Sequence, residues 1–152
     1  MIVYRLTKTY FSDDLSGRGA EIHGGRWNSK GYALLYTSES RALCITEIAV
    51  HTPLGVVPLD YSLCIIQIPE GSSIQVVSSA DLPIDWMSYP YSDSTQSIGD
   101  QFIRARKNLV LKVPSVVVPG EYNYLVNPAH PDFPKISISK AEPFAFDERL
   151  FK

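Results

Sequence analysis

The chain has 152 residues, of which 45% are hydrophobic and 20% are charged, as expected for one globular domain with a genuine core. Its formal net charge of -2 and sequence pI of about 5.9 argue against a dedicated nucleic-acid binder, which usually carries a basic face. No apolar run approaches the ~20 residues that span a bilayer, and the first residues do not resemble a signal peptide. We therefore expect a single domain over residues 1–152, located in the cytoplasm and not in a membrane.

Common templates for metal and nucleotide binding are not matched. Cys44 and Cys64 lie among apolar neighbours without a Cys-x-x-Cys pair, which predicts buried free thiols. The three histidines are scattered, and none has the spacing of a metal-binding pair. Positions 17–19 read Gly-Arg-Gly, but Ile22 follows where a dinucleotide fingerprint needs glycine. The sequence therefore predicts no metal site.

Short apolar or alternating runs bounded by turn residues predict strands along the whole chain. They cover residues 3–9, 33–37, 56–59, 61–68, 74–77, 109–119 and 135–139. Pro114 interrupts one run, and because proline cannot donate a ladder hydrogen bond, we expect a strand edge or bulge beside Ser115. Residues 11–25 and 82–93 are rich in glycine, proline or aromatic residues and predict irregular structure.

Two segments carry helical signals. Ser38 suits the N-cap of a helix that continues to about residue 51, and residues 97–108 predict a second helix. The apolar face of the first helix would consist of residues at helical spacing, namely Ala42, Ile45, Ile48 and Ala49. Glu47 lies beside that face and would point either into a cleft or into solvent. The fold class is α+β, with β structure dominant.

The most informative segment is the glycine-bracketed run GGRWNSKG at positions 24–31. Glycines let backbone approach a ligand closely and arginine binds phosphate with a planar fork, so Arg26 suits an anionic ligand. Tyr36 ends the next strand, and Glu47 on the following helix suits a sugar hydroxyl or a developing cation. Together they indicate a nucleotide-sugar site. Each residue also has a structural explanation, as a turn cation, a core aromatic or a solvated carboxylate, and spacing alone leaves both open.

Several motifs, taken in order, resemble the RES domain, a family named for its arginine, glutamate and serine. They are GGRWN at 24–28, LYTS at 35–38, TEI at 46–48, VPS at 113–115 and EYNYLVNPAHPDF at 121–133. The resemblance implies one β-rich domain with a fold like that of ADP-ribosyltransferases, and the role of toxin in a bacterial toxin–antitoxin pair. Family members consume NAD⁺ by hydrolysis or phosphorolysis of the nicotinamide–ribose bond, and a few transfer ADP-ribose to a protein.

The resemblance also implies roles for individual residues. Arg5 and Arg26 become ligands of the pyrophosphate, and Tyr36 becomes the aromatic that stacks on nicotinamide or closes the pocket. Glu47 becomes the carboxylate that binds the ribose and stabilises positive charge. Ser115 becomes the hydroxyl near the ribose or the incoming nucleophile. Glu47, Arg26 and Ser115 would thus carry catalysis.

Asn28 and Asn123 are further candidates for ligand contact, with a role in a turn or behind the site as the alternative. NAD⁺ is the implied substrate, and no prosthetic group is expected. The implied partner is an Xre-type antitoxin that occludes the active site and supplies the DNA binding of the pair. Two other functions stay open: mono-ADP-ribosylation of a cellular protein, and a non-catalytic module whose pocket receives an antitoxin tail.

Overall fold

The computed structural model describes residues 1–152 and contains one seven-stranded mixed sheet. The strands are β1 Ile2–Lys8, β2 Leu35–Ser38, β3 Tyr61–Gln67, β4 Ile74–Val76, β5 Val110–Pro114, β6 Tyr122–Val126 and β7 Ser137–Phe144. The helices are α1 Arg18–His23, α2 Arg41–Val50 and α3 Asp93–Ala105. Strand order is β4-β5-β6-β2-β1-β3-β7, with β4 parallel to β5 and every other neighbour antiparallel. The predicted α+β class is confirmed.

Most predicted strands are present with small shifts of their bounds, but the strand expected at 56–59 is wrong. That segment pairs with no other strand, and two of its apolar side chains are exposed, Val56 by 53% and Leu59 by 68%, while Val57 packs against the core. The run expected at 109–119 ends as a strand at Pro114, which pairs with Tyr122 of β6 and lies beyond the end of β4, so its other side is an open strand edge. No bulge is present there. Strand β6 was not predicted.

The helices also differ from the prediction in detail. The loop expected at 11–25 contains α1, a six-residue helix held by contacts from the following turn. Helix α2 begins after Ser40, whose Oγ accepts a 3.0 Å hydrogen bond from the Leu43 N–H, while Ser38 stays in β2. Its buried face contains Leu43 and Cys44, and Ala42 is exposed. Helix α3 begins four residues earlier than predicted. None of the helices is both long and apolar enough to cross a membrane.

Two of the apolar clusters in the core support the region described below. The aromatic cluster joins α2 to β1, β3 and the C-terminal segment through Leu6, Cys44, Leu63, Phe146 and Phe151. The Trp27 cluster joins the turn after α1 to α3, β5 and β6, mainly through Trp27, Leu34, Phe102, Ile103, Leu111, Val113 and Leu125. A third cluster consists mainly of side chains of the sheet, including Val3, Cys64 and Val126.

The sheet has a weak point between β1 and β2. These strands pair at a single position, Tyr4 with Ser38, whereas β1 pairs with β3 along its whole length. We call this place the seam. Residues 82–92, which we call the covering segment, connect the region after β4 to α3 without a regular strand or helix, as predicted.

Candidate active site

A cavity of about 590 Å³ opens at the seam, where β1 and β2 diverge. Its walls come from these strands, from α2 and β6, from the covering segment and from the loop after β5. A further wall is the turn of residues 24–29, which we call the glycine turn. The volume lies within the range of about 300–1,000 Å³ that is typical of small-molecule sites. The structure brings five of the residues predicted from sequence to these walls: Arg5, Arg26, Tyr36, Glu47 and Asn123.

Glu47 enters the cavity from the middle of α2. It follows the buried Leu43 and Cys44 by four and three positions, so it projects from nearly the same side of the helix. Its Oε1 accepts hydrogen bonds from Ser115 Oγ at 3.2 Å and from Asn123 Nδ2 at 2.9 Å. Of the two orientations that the sequence left open, the structure shows the one that faces a cleft.

Ser115 lies behind Glu47 and is not part of the cavity wall. Its side chain is buried, and its Oγ accepts hydrogen bonds from the N–H groups of Val117 and Val118, both at 3.1 Å, while donating to Glu47. Because β5 ends at Pro114, the chain turns at this point and aims the hydroxyl at the carboxylate. Ser115 is therefore placed to orient Glu47.

Arg26 extends from the glycine turn toward the covering segment. One of its Nη atoms donates to the carbonyl oxygens of Trp86 and Ser88, both at 2.8 Å, and its guanidinium lies 5.1 Å from the centre of the Tyr91 ring. Partial burial lowers the pKa of Arg26, opposed by neighbouring acidic groups, and the group stays charged because its ordinary pKa is so high. Arg26 thus ties the covering segment to the cavity.

Tyr36 is held through its hydroxyl, so it presents its ring to the cavity. The Oη donates to Asn28 Oδ1 at 2.7 Å and accepts from the Trp27 N–H at 3.1 Å. Burial raises the pKa of the Tyr36 phenol, so it stays neutral. This close approach depends on Gly25, because a Cβ there would lie 2.7 Å from the Tyr36 oxygen.

Asn28 braces the glycine turn from the protein interior. Its side chain is fully buried, and its Nδ2 donates to the carbonyl oxygens of Ala20 at 2.8 Å and Tyr32 at 3.0 Å. All its hydrogen bonds are made within the protein, as is usual for a buried amide. In the structure Asn28 therefore has the supporting role that the sequence left open as the alternative: it holds the Tyr36 hydroxyl, and of the two asparagines only Asn123 lines the cavity.

Arg5 brings a second guanidinium to the cavity from β1. One of its Nη atoms donates to the carbonyl oxygens of Asp14 at 2.8 Å and Phe11 at 3.4 Å. Burial lowers the pKa of Arg5, opposed by the neighbouring Cys64 and Asp14. The loop after β1 therefore fixes this arginine in the same way that the covering segment fixes Arg26.

Several residues of the wall were not found by sequence reasoning. Tyr4 and His51 contribute from β1 and the end of α2, and the covering segment contributes Met87, Tyr89 and Tyr91. The tyrosines and prolines of that segment indicate an irregular cover, but they form no motif that singles out individual residues. Their role depends on how the chain folds back over the seam.

The cavity combines two guanidinium groups with one carboxylate. Both cysteines are buried and free, as predicted, and burial raises the pKa of Cys44 on the wall to about 11. Its thiol therefore stays protonated near neutral pH and is a poor nucleophile. No group of three or more His, Cys, Asp or Glu side chains is arranged to hold a metal ion. The two arginines and the glutamate on the cavity wall suit a ligand with phosphates and sugar hydroxyls.

Known proteins resemble this chain over almost its whole length. A family model of the RES domain matches residues 2–147. The chain is 41% identical over 147 residues to the Prs ADP-ribosylating toxin of Sphingobium sp. (strain YBL2), covering 95% of this chain and 91% of that protein. It is 38% identical over 153 residues to Toxin Res of Yersinia enterocolitica, covering 99% of each.

The fold is similar to that of a chain in the crystal structure of the M. tuberculosis MbcT–MbcA toxin–antitoxin complex. The TM-score is 0.73 at 20% sequence identity, and the match covers 99% of this chain and 86% of that chain. At this identity the likeness concerns the fold. The family match, together with relatives named as toxins, shows that the chain belongs to the RES domain family.

Proposed function

We propose that this protein is a toxin that cleaves the nicotinamide–ribose bond of NAD⁺ and transfers the ADP-ribose to water or phosphate. The observation that carries the proposal is a single cavity in which Glu47 is held by Ser115 and Asn123, with Arg5 and Arg26 on the walls. Guanidinium groups suit the pyrophosphate and a carboxylate suits the ribose. Membership of the RES family supports the role of toxin.

Bond cleavage would depend on electrostatics more than on proton transfer. Breaking the N-glycosidic bond develops oxocarbenium character on the ribose, while nicotinamide leaves as a neutral group and needs no general acid. Glu47 would stabilise that positive charge, because a preorganised carboxylate in a cavity interacts strongly with charge that develops in the transition state. In hydrolysis the same carboxylate would also orient the attacking water.

The other residues would hold the dinucleotide in a reactive geometry. Both hydrogen bonds from Arg26 to the covering segment leave from one Nη atom, so its Nε and second Nη remain for phosphate oxygens. Arg5 would bind the same pyrophosphate from β1. The ring of Tyr36 would stack on nicotinamide, since its hydroxyl is committed to Asn28.

We also propose an Xre-type antitoxin as the partner, covering the mouth of the cavity and supplying the DNA binding of the complex. The likeness of the fold to a chain of a toxin–antitoxin complex supports a partner of this kind. The net charge of -2 gives this chain no general attraction to DNA.

A second candidate function is mono-ADP-ribosylation of a cellular protein. It is favoured by one observation, the 41% identity to a Sphingobium protein named as an ADP-ribosylating toxin. Both candidates break the same bond in the same cavity, and they differ in the group that accepts the ADP-ribose.

The deciding experiment incubates the purified protein with NAD⁺, with and without phosphate, and measures nicotinamide and the ribose product. ADP-ribose indicates hydrolysis, and its 1″-phosphate indicates phosphorolysis. Label from NAD⁺ that appears on added cellular protein would identify the transferase instead. Folded protein that releases no nicotinamide under any of these conditions would contradict both functions and leave a module that only binds.

A further inference from the structure

The two carboxylate oxygens of Glu47 have different surroundings. Oε1 accepts hydrogen bonds from Ser115 and Asn123, whereas no protein group donates to Oε2. Asn123 in turn accepts a 2.8 Å hydrogen bond at its Oδ1 from Ser38 Oγ. We infer that Ser38 is a positioning residue for the reaction, which orients the Asn123 amide and thereby leaves Oε2 of Glu47 directed at the ligand.

The chemistry of the three groups permits one orientation of this amide. An ionised carboxylate only accepts hydrogen bonds, so the part of Asn123 that faces Glu47 must be its NH₂ group. The amide oxygen then faces Ser38, whose hydroxyl must donate. Without that hydroxyl, the amide oxygen loses its donor, and only the hydrogen bond to Glu47 holds the NH₂ group in place.

The register of the sheet explains why the Ser38 hydroxyl reaches the Asn123 amide. Ser38 and Asn123 lie directly opposite each other on β2 and β6, and Ser38 also pairs with Tyr4 across the seam. Ser38 lies on the cavity wall, but it is only 6% exposed and its hydroxyl donates to the Asn123 amide oxygen. Ser38 therefore takes part both in the single β1–β2 pair at the seam and in the hydrogen bond that orients the Asn123 amide.

This inference rests on the proposed function, in which Glu47 stabilises charge in the transition state. An interaction that matters only in the transition state changes kcat, whereas a uniform contact with the substrate changes KM. Removing the Ser38 hydroxyl should therefore lower kcat about five- to tenfold, the size of one hydrogen bond, and change KM by less than about twofold.

The test compares NAD⁺ cleavage by Ser38→Ala and Ser38→Thr with cleavage by a control, Ser62→Ala. Ser62 is a buried serine of β3 whose hydroxyl pairs with Thr9 Oγ1 at 2.9 Å, outside the cavity. We expect the loss of kcat in Ser38→Ala, recovery in Ser38→Thr, which keeps the hydroxyl, and no change in the control. Unchanged kcat in Ser38→Ala, an equal loss in the control, or a rise in KM alone would overturn the assignment.

A second measurement does not depend on activity. In ligand-free protein, ¹H–¹⁵N spectra follow solvent exchange of the Asn123 side-chain amide, assigned by its loss in Asn123→Asp. We expect Ser38→Ala to speed this exchange about five- to tenfold, and Ser38→Cys replaces it if the alanine variant does not fold. Unchanged exchange would overturn the role of Ser38 whatever the wild type does to NAD⁺. Absence of nicotinamide release by the wild type would refute the proposed function separately.

Discussion

The two sides of the cavity are built in different ways. The carboxylate wall (Glu47, Ser115 and Asn123) consists of side chains on or beside regular elements, joined by direct side-chain hydrogen bonds. The arginine wall (Arg26, Tyr36 and the covering segment) depends largely on backbone carbonyls of an irregular segment. Under the proposed function, the carboxylate has to present one oxygen to the ribose and is held by regular structure, whereas the arginine binds a flexible pyrophosphate and is held by an irregular segment.

Each wall also rests on its own part of the core. The aromatic cluster, which includes Phe151, lies under α2 and supports the carboxylate wall. The Trp27 cluster lies under the glycine turn, and Trp86 of the covering segment packs against it. From α3, Asp100 accepts hydrogen bonds from the N–H and Oγ of Ser29 at 2.8 and 2.6 Å, which fixes the end of that turn. Variants in the two walls should therefore have separable effects.

The largest effect should come from Glu47→Gln, which removes the charge of the carboxylate wall with almost no change in shape. Under the proposed function, we expect NAD⁺ cleavage to fall at least about a thousandfold, or about 4 kcal/mol of transition-state stabilisation. Nicotinamide release measures the loss, and thermal unfolding verifies the fold. Glu39→Gln is the control, since Glu39 bonds the Tyr122 N–H outside the cavity. Wild-type turnover by Glu47→Gln would mean that this charge plays no part in the reaction.

Phe151→Ala should weaken the aromatic cluster, which supports the carboxylate wall. Phe151 is 1% exposed and packs edge-on against Phe146 at 5.5 Å between ring centres. We expect the free energy of unfolding to fall by about 3–4 kcal/mol, because a large buried ring is deleted. Urea denaturation measures the change, and Leu150→Ala, at a half-exposed neighbour, should cost far less. Equal losses in the two variants would contradict the anchoring role of the ring.

On the arginine wall, Arg26→Ala should weaken substrate binding more than it slows chemistry. Loss of charge-assisted hydrogen bonds of about 2–3 kcal/mol would raise KM for NAD⁺ by about 30- to 150-fold. Arg26→Lys should recover part of this, because lysine keeps the charge but not the planar fork. Arg104, an exposed arginine 5.6 Å from the Tyr32 ring, is the matched control. NAD⁺ kinetics unaffected by Arg26→Ala would exclude the phosphate role.

The smallest effect should come from Tyr36→Phe, which keeps the ring of the arginine wall and removes its hydroxyl. Asn28 Oδ1 and the Trp27 N–H would each lose a partner, and we expect a loss of about 1–2 kcal/mol in the free energy of unfolding. Tyr32→Phe is the control, since that hydroxyl bonds only the exposed Arg104. If both variants unfold at the same denaturant concentration, the Tyr36 hydroxyl does not hold the glycine turn.

The features closest together in sequence were the ones that could be predicted. The α+β class, most of the strands and the helix that carries Glu47 follow from local patterns of apolar and turn residues. The glycine turn at Arg26 was recognisable because two glycines, which allow close approach of the backbone, directly precede this arginine in the sequence. Five of the predicted residues line one cavity in the structure.

Contacts between distant parts of the chain could not be predicted in the same way. Ser38 and Asn123 are 85 positions apart, and Ser115 and Glu47 are 68 apart. Strand β6 was missed because it carries a polar residue toward the cavity in place of an apolar one. Helix α1 was missed because its segment is short and rich in glycine, and part of its support comes from the following turn, where the Asn28 amide donates to the Ala20 carbonyl. Such features depend on tertiary structure, which local propensity does not record.

The seam has a consequence for how a bound ligand affects the whole domain. It divides the sheet into β1, β3 and β7 on one side and β4, β5, β6 and β2 on the other, with one pair of residues between them. A molecule that contacts Arg5 on one side and Arg26 on the other acts as a cross-link in place of the missing ladder. Ligand that binds only the folded state raises the melting temperature. Under the proposed function, that ligand is NAD⁺, which the toxin consumes. Its melting temperature should therefore fall as the NAD⁺ concentration falls.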